Sequence, residues 1–185
     1  MKRLFLLAGL MLLPISAYAH PGHGGLLAGV LHPLSGVDHL AAMFAVGLLA
    51  ARLAGRGRWV LPAGFVLAAL IGALLGFGGL SLPALEPLIV ASVVVLGVLL
   101  TLRAEAVQLS WLLALVLPWG LLHGNAHALE ASGSPHLFVA GFLFSTALLH
   151  AAGLLIGARA QPMLLRAGGG LIAGLGGWLL WGALA

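Results

Sequence analysis

The chain has 185 residues, 62% of them hydrophobic and 6% charged, with a formal net charge of +4. Soluble domains carry about 25% charged residues, so lipid rather than water is the outer solvent of this chain, and no stretch is polar enough for a soluble domain. The basic balance does not point to nucleic acid, because the lysine and arginines do not cluster on one solvated face, and with no cysteine a metal site must use nitrogen and oxygen ligands.

Residues 1–19 have the three parts of a secretory leader. Lys2 and Arg3 precede an apolar stretch, Leu4 to Leu13, that is too short to span a bilayer. Pro14 ends that stretch, and Ala17-Tyr18-Ala19 is a small-x-small cleavage site. Cleavage would make His20 the mature N-terminus, leaving residues 20–185 as one polytopic transmembrane domain. His20 and His23 would then lie on a flexible end that either captures metal loosely or is an ordinary terminus.

The remainder divides at its arginines and its Pro/Gly/Ser punctuation into six apolar segments: Val37–Leu53, Trp59–Phe77, Leu85–Leu102, Leu109–His123, Leu137–Ala158 and Leu164–Leu184. Each approaches the roughly 20 residues a helix needs to cross about 30 Å of hydrocarbon. The expected fold is therefore an all-α membrane protein, about six transmembrane helices in one bundle. With the mature N-terminus outside, Arg52, Arg56, Arg58, Arg103, Arg159 and Arg166 all fall in cytoplasmic connections. That arrangement follows the positive-inside rule and places the C-terminus outside too. The glycines of the last segment read as helix-packing positions, and Trp59, Trp178 and Trp181 read as interfacial anchors.

Polar residues gather at the opposite face. In His32-Pro33-Leu34-Ser35-Gly36-Val37-Asp38-His39, proline and glycine oppose a continuous helix, so an irregular entry into the membrane is expected. Asp38 fits either a first-turn cap or a ligand beside His39. If the fourth segment continues as a helix, His123, His127 and Glu130 share one face at i, i+4 and i+7, a spacing that can hold a divalent ion. His150, with Thr146 one turn before it, lies about 20 Å along a helix from His136 and so sits deep in the bilayer. There it is either a ligand on a path or an imidazole bonded to a neighbouring helix. A sulfur-free donor set suits nickel, cobalt or zinc, and several moderate sites suit conduction better than one tight site.

The segments HPLSGVDHLAAMFAVGL (His32 to Leu48), HGNAHALE (His123 to Glu130) and GFLFSTALLHAAGL (Gly141 to Leu154) together resemble the HupE/UreJ family of bacterial nickel permeases. The resemblance implies a multi-pass inner-membrane protein that takes up Ni²⁺, with Co²⁺ as an alternative, from the periplasm to supply hydrogenase or urease maturation. Its motif residues fall here on His32, Asp38, His39, His123, His127, Glu130 and His150. The metal is then cargo, no resident cofactor is expected, and the partners are the ion and the bilayer. No nucleotide-binding loop is present, so facilitated diffusion driven by the membrane potential is the simplest mode. Two other classes fit the same residues: an intramembrane metal-dependent hydrolase using His39, Asp38, His123 and His127, and an accessory subunit that binds metal without moving it.

Overall fold

The computed structural model describes residues 25–103, 108–131 and 133–184. Among them the chain is entirely helical: α1 (Leu26–Ser35), α2 (Val37–Ala50), α3 (Gly57–Phe77), α4 (Leu85–Thr101), α5 (Leu109–Glu130), α6 (Pro135–Gly157) and α7 (Pro162–Leu184). The leader, with its cleavage site, and His20 and His23 lie outside the described residues.

Four helices, α3, α5, α6 and α7, are long and apolar enough to cross a membrane. The bent pair α1 and α2 makes a fifth if taken as one span, and α4 is shorter at 17 residues. Of the irregular entry expected before Val37, the structure keeps the break at Gly36 and corrects the part at Pro33. Residues 26–35 are helical straight through Pro33, and the chain breaks only at Gly36, whose extended backbone turns α2 by 87° from α1. Pro33 forfeits one intrahelical bond, the one to the Gly29 carbonyl, and the helix ends two residues after it.

Helix α2 is the centre of the bundle. From Ala41 to Ala50 all but Phe44 are buried, as expected for a helix that is apolar all round. It touches α1, α3, α4, α6 and α7, while α3 packs most extensively on α5 and α4 on α7. Helix α7 is peripheral: Leu165, Gly169 and Gly176 are its buried residues, and Leu171, Trp178 and Trp181 are exposed.

Glycine sets how closely these helices approach. A methyl group on Gly124 would overlap the Ala69 carbonyl, and one on Gly72 the Leu121 carbonyl, so α3 and α5 meet through a reciprocal glycine pair. The same reciprocity joins α1 to α6 (Gly29, Gly141), α2 to α6 (Gly47, Gly153) and α4 to α7 (Gly97, Gly169). In lipid, where no hydrophobic effect drives helices together, such backbone contact supplies the van der Waals attraction. Only part of the glycine-rich last segment is used in this way. Gly169 and Gly176 meet α4, whereas Gly168, Gly170, Gly174 and Gly177 face open space.

Candidate metal site at one end of the bundle

The turn at Gly36 folds α1 back so that its last turn faces the C-terminal turns of α5. Helix α5 runs on past His123 to Glu130, seven residues beyond the expected end of the fourth span. Gly124 does not break it, because that glycine is where α5 crosses α3. Asn125, fully buried, anchors this extension. Its amide donates to the carbonyls of Gly72 (3.2 Å) and Leu80 (2.7 Å), and its Oδ1 accepts from the Leu82 N–H (3.0 Å).

Six candidate residues come together there. The rings of His32 and His127 lie 4.6 Å apart between centroids, those of His127 and His39 4.6 Å, and those of His39 and His123 5.4 Å. Asp38, in the first turn of α2, accepts from both the His39 backbone N–H and its Nδ1–H through Oδ1, each at 2.8 Å. Asp38 therefore satisfies one open N–H in the first turn of α2 and also orients an imidazole. Glu130 Oε2 lies 3.2 Å from His127 Nδ1 and 3.0 Å from His32 Nε2. The donor atoms of His32, His127 and Glu130 all lie within 4.8 Å of one another, close enough to share one ion.

The hydrogen bonds fix which nitrogen is available. Carboxylates and carbonyls only accept, so the Nδ1 atoms of His39, His127 and His123 must carry the proton toward Asp38, Glu130 and the Trp119 carbonyl (2.8 Å). In the neutral ring the lone pair is then on Nε2. In all three residues Nε2 is buried and has no hydrogen-bond partner. An imidazole held from behind by an acceptor, with its other nitrogen free, is the arrangement in which histidine ligates metal. A buried polar atom left without a partner costs about 1–3 kcal/mol, and three in one cluster make this the candidate site for an occupant.

His150 is set apart from this cluster. It is buried on α6, and its Nδ1–H donates to the Met43 carbonyl of α2 at 2.7 Å, leaving Nε2 again without a partner. Of the alternatives that the sequence left open for it, the structure shows the imidazole bonded to a neighbouring helix, with the Nε2 lone pair still free. Phe65 of α3 stands between it and the cluster, its ring 5.5 Å from His123 and 5.1 Å from His150. Sequence reasoning missed Phe65, Asn125 and the Met43 and Trp119 carbonyls. A signal for Phe65 did exist: it is the one aromatic among Leu61, Ala68, Ala69, Gly72, Ala73 and Gly76 on the buried face of α3. His136 is exposed and packs against Phe77, away from the cluster.

Apolar helices of spanning length around an imidazole–carboxylate cluster define the class, a multi-pass helical membrane protein. The chain belongs to the HupE/UreJ family, whose model, described as HupE / UreJ protein, matches residues 8–179. It is 36% identical over 178 residues to Protein HupE of Rhizobium leguminosarum bv. viciae, an alignment covering 92% of this chain and 93% of that one. No solved structure matches the chain.

Proposed function

We propose that the protein carries divalent nickel, with cobalt as an alternative cargo, across the bacterial inner membrane from periplasm to cytoplasm, for hydrogenase or urease maturation. The observation that carries this reading is the set of buried, unpartnered Nε2 atoms on His39, His123 and His127, each in a ring whose Nδ1 is held by an acceptor. Nitrogen and carboxylate donors without sulfur suit Ni²⁺ or Co²⁺. His32, Asp38 and Glu130 complete the entry site, His150 is a deeper step, and His20 and His23 deliver the ion when the leader has been removed after Ala19.

In this reading the chain crosses the membrane six times, with α1 and α2 as one bent crossing and α4 as a short one. The arginines lie on the cytoplasmic side and both mature termini lie outside. An inside-negative potential of ~100 mV favours entry of a divalent ion by about 4–5 kcal/mol, enough for facilitated diffusion without nucleotide hydrolysis.

The test is Ni²⁺ and Co²⁺ uptake by sealed proteoliposomes containing the purified protein, with an imposed inside-negative potential. Accumulation that follows the potential is expected. Stoichiometric binding with no flux would make the chain an accessory subunit instead, and turnover of a lipid or peptide without flux would make it a hydrolase.

A further inference from the structure

Three helical hydroxyls in this protein make the usual local bond, and one that is fully buried makes none. The hydroxyls of Ser35, Ser92 and Thr101 each donate to the carbonyl three residues earlier, at 2.6–2.7 Å. This is the local bond that a helix always offers to serine and threonine. Thr146 on α6 is fully buried, yet its Oγ1 has no partner. One turn further along the same buried face is His150, whose Nε2 is also buried and unpartnered. Residues at i and i+4 are neighbours on a helix surface, about 5–6 Å apart at Cβ. Two orphaned polar atoms one turn apart, on the far side of Phe65 from His123, are not accounted for by packing.

We propose that Thr146 Oγ1 and His150 Nε2 form a second, internal half-site that a partly hydrated divalent cation occupies in transit, after passing the Phe65 ring. The proposal rests on reading the chain as a metal carrier and adds a ligand and a partition to it. The Met43 carbonyl holds the His150 lone pair in place, just as the Trp119 carbonyl holds that of His123. Phe65 thus separates two imidazoles prepared in the same way, and rotation of its side chain would let an ion pass from one Nε2 to the other.

The two sites differ in one chemical respect. The outer cluster contains Asp38 and Glu130, whereas no ion pair or hydrogen bond among the described residues joins His150 to a carboxylate. One nitrogen and one hydroxyl leave most of the coordination sphere to water. The internal half-site is therefore the weaker one, which suits release toward the cytoplasm rather than storage.

The experiment uses purified full-length protein and compares Thr146→Val, Thr146→Ser and His150→Ala with wild type. Valine keeps the shape of threonine and removes the hydroxyl, so it guards against a His150→Ala variant that simply folds poorly. Equilibrium Ni²⁺ binding in detergent should show a weaker class of site that is absent in Thr146→Val and His150→Ala and present in Thr146→Ser, with the tighter class unchanged. In vesicles, Thr146→Val should lower the initial rate of Ni²⁺ uptake by about tenfold, and Thr146→Ser should restore most of it. Wild-type uptake together with wild-type binding and uptake in Thr146→Val would overturn the internal half-site and leave the carrier reading standing. A weaker class lost on both substitutions, in a protein that moves no ion, would do the reverse. Loss of both binding classes in Thr146→Val would show a single continuous site and also overturn the proposal.

Discussion

Polar side chains at the two ends of the bundle have different fates. At the arginine end they go to the backbone. Arg52 donates to the carbonyls of Leu99 (3.2 Å), Leu100 (2.9 Å) and Leu102, Arg166 to that of Thr101 (3.0 Å), and Arg159 to that of Leu155 (3.0 Å). Arg52 and Arg166 between them satisfy carbonyls that the C-terminus of α4 leaves open, and their charge complements its dipole. At the histidine end His32 meets Glu130 through Nε2, but the contacts of His39, His123 and His127 fall on Nδ1, and their buried Nε2 atoms are left with nothing. Buried or half-buried polarity alone therefore does not mark a ligand. The useful question is whether any hydrogen-bonding capacity remains once the local partners have been counted.

The comparison breaks most visibly if the acidic partners at the histidine end are mere caps. Asp38→Ala and His39→Ala should each lower Ni²⁺ uptake by about 100-fold at normal insertion levels, because one removes a ligand and the other its orienting group. Uptake near wild type in either variant would put the site elsewhere. Glu130→Gln should have a smaller effect, about tenfold in Ni²⁺ affinity by equilibrium binding, because the amide keeps an acceptor but loses the charge. An unchanged affinity would restrict Glu130 to holding His32 and His127. At the arginine end, Arg52→Ala should lower the thermal midpoint by roughly 4–8 °C through the loss of charge-assisted bonds. Uptake per inserted molecule should change by less than about twofold, and a selective loss of flux would show that the arginine end also handles the ion.

Much of this was legible in the sequence, and the reasons differ by residue. The bounds of α3, α4, α6 and α7 lie within three residues of the apolar segments read from hydropathy, because lipid selects long apolar runs between charged connections. The proximity of His32 to Glu130 was not legible, since it depends on the 87° turn at Gly36, and a glycine does not announce the angle it will adopt. The continuation of α5 was obscured in the same way. His123-Gly124-Asn125 looks like an ending locally, but its glycine serves a helix crossing and its asparagine serves a neighbouring loop. Phe65 was hidden because a phenylalanine in a membrane helix is ordinary until its neighbours are known. Tertiary contact, rather than any property of the residue, gives it a role.

The glycine crossings bear on the spacing of the histidines themselves. Gly124 is adjacent to His123, Gly29 lies one turn before His32, and Gly47 meets the backbone of His150. The spacing between the histidine-bearing helices is thus gauged by main chain resting on main chain, with no flexible side chain in between to stretch or compress. Peptide units are the stiffest parts of the polymer, so they act as a ruler laid between the imidazoles. Lipid composition, which acts on the outward-facing leucines and tryptophans, has little leverage on such a ruler. The spacing of the imidazoles can then persist while the bilayer around it thickens, thins or changes its headgroups.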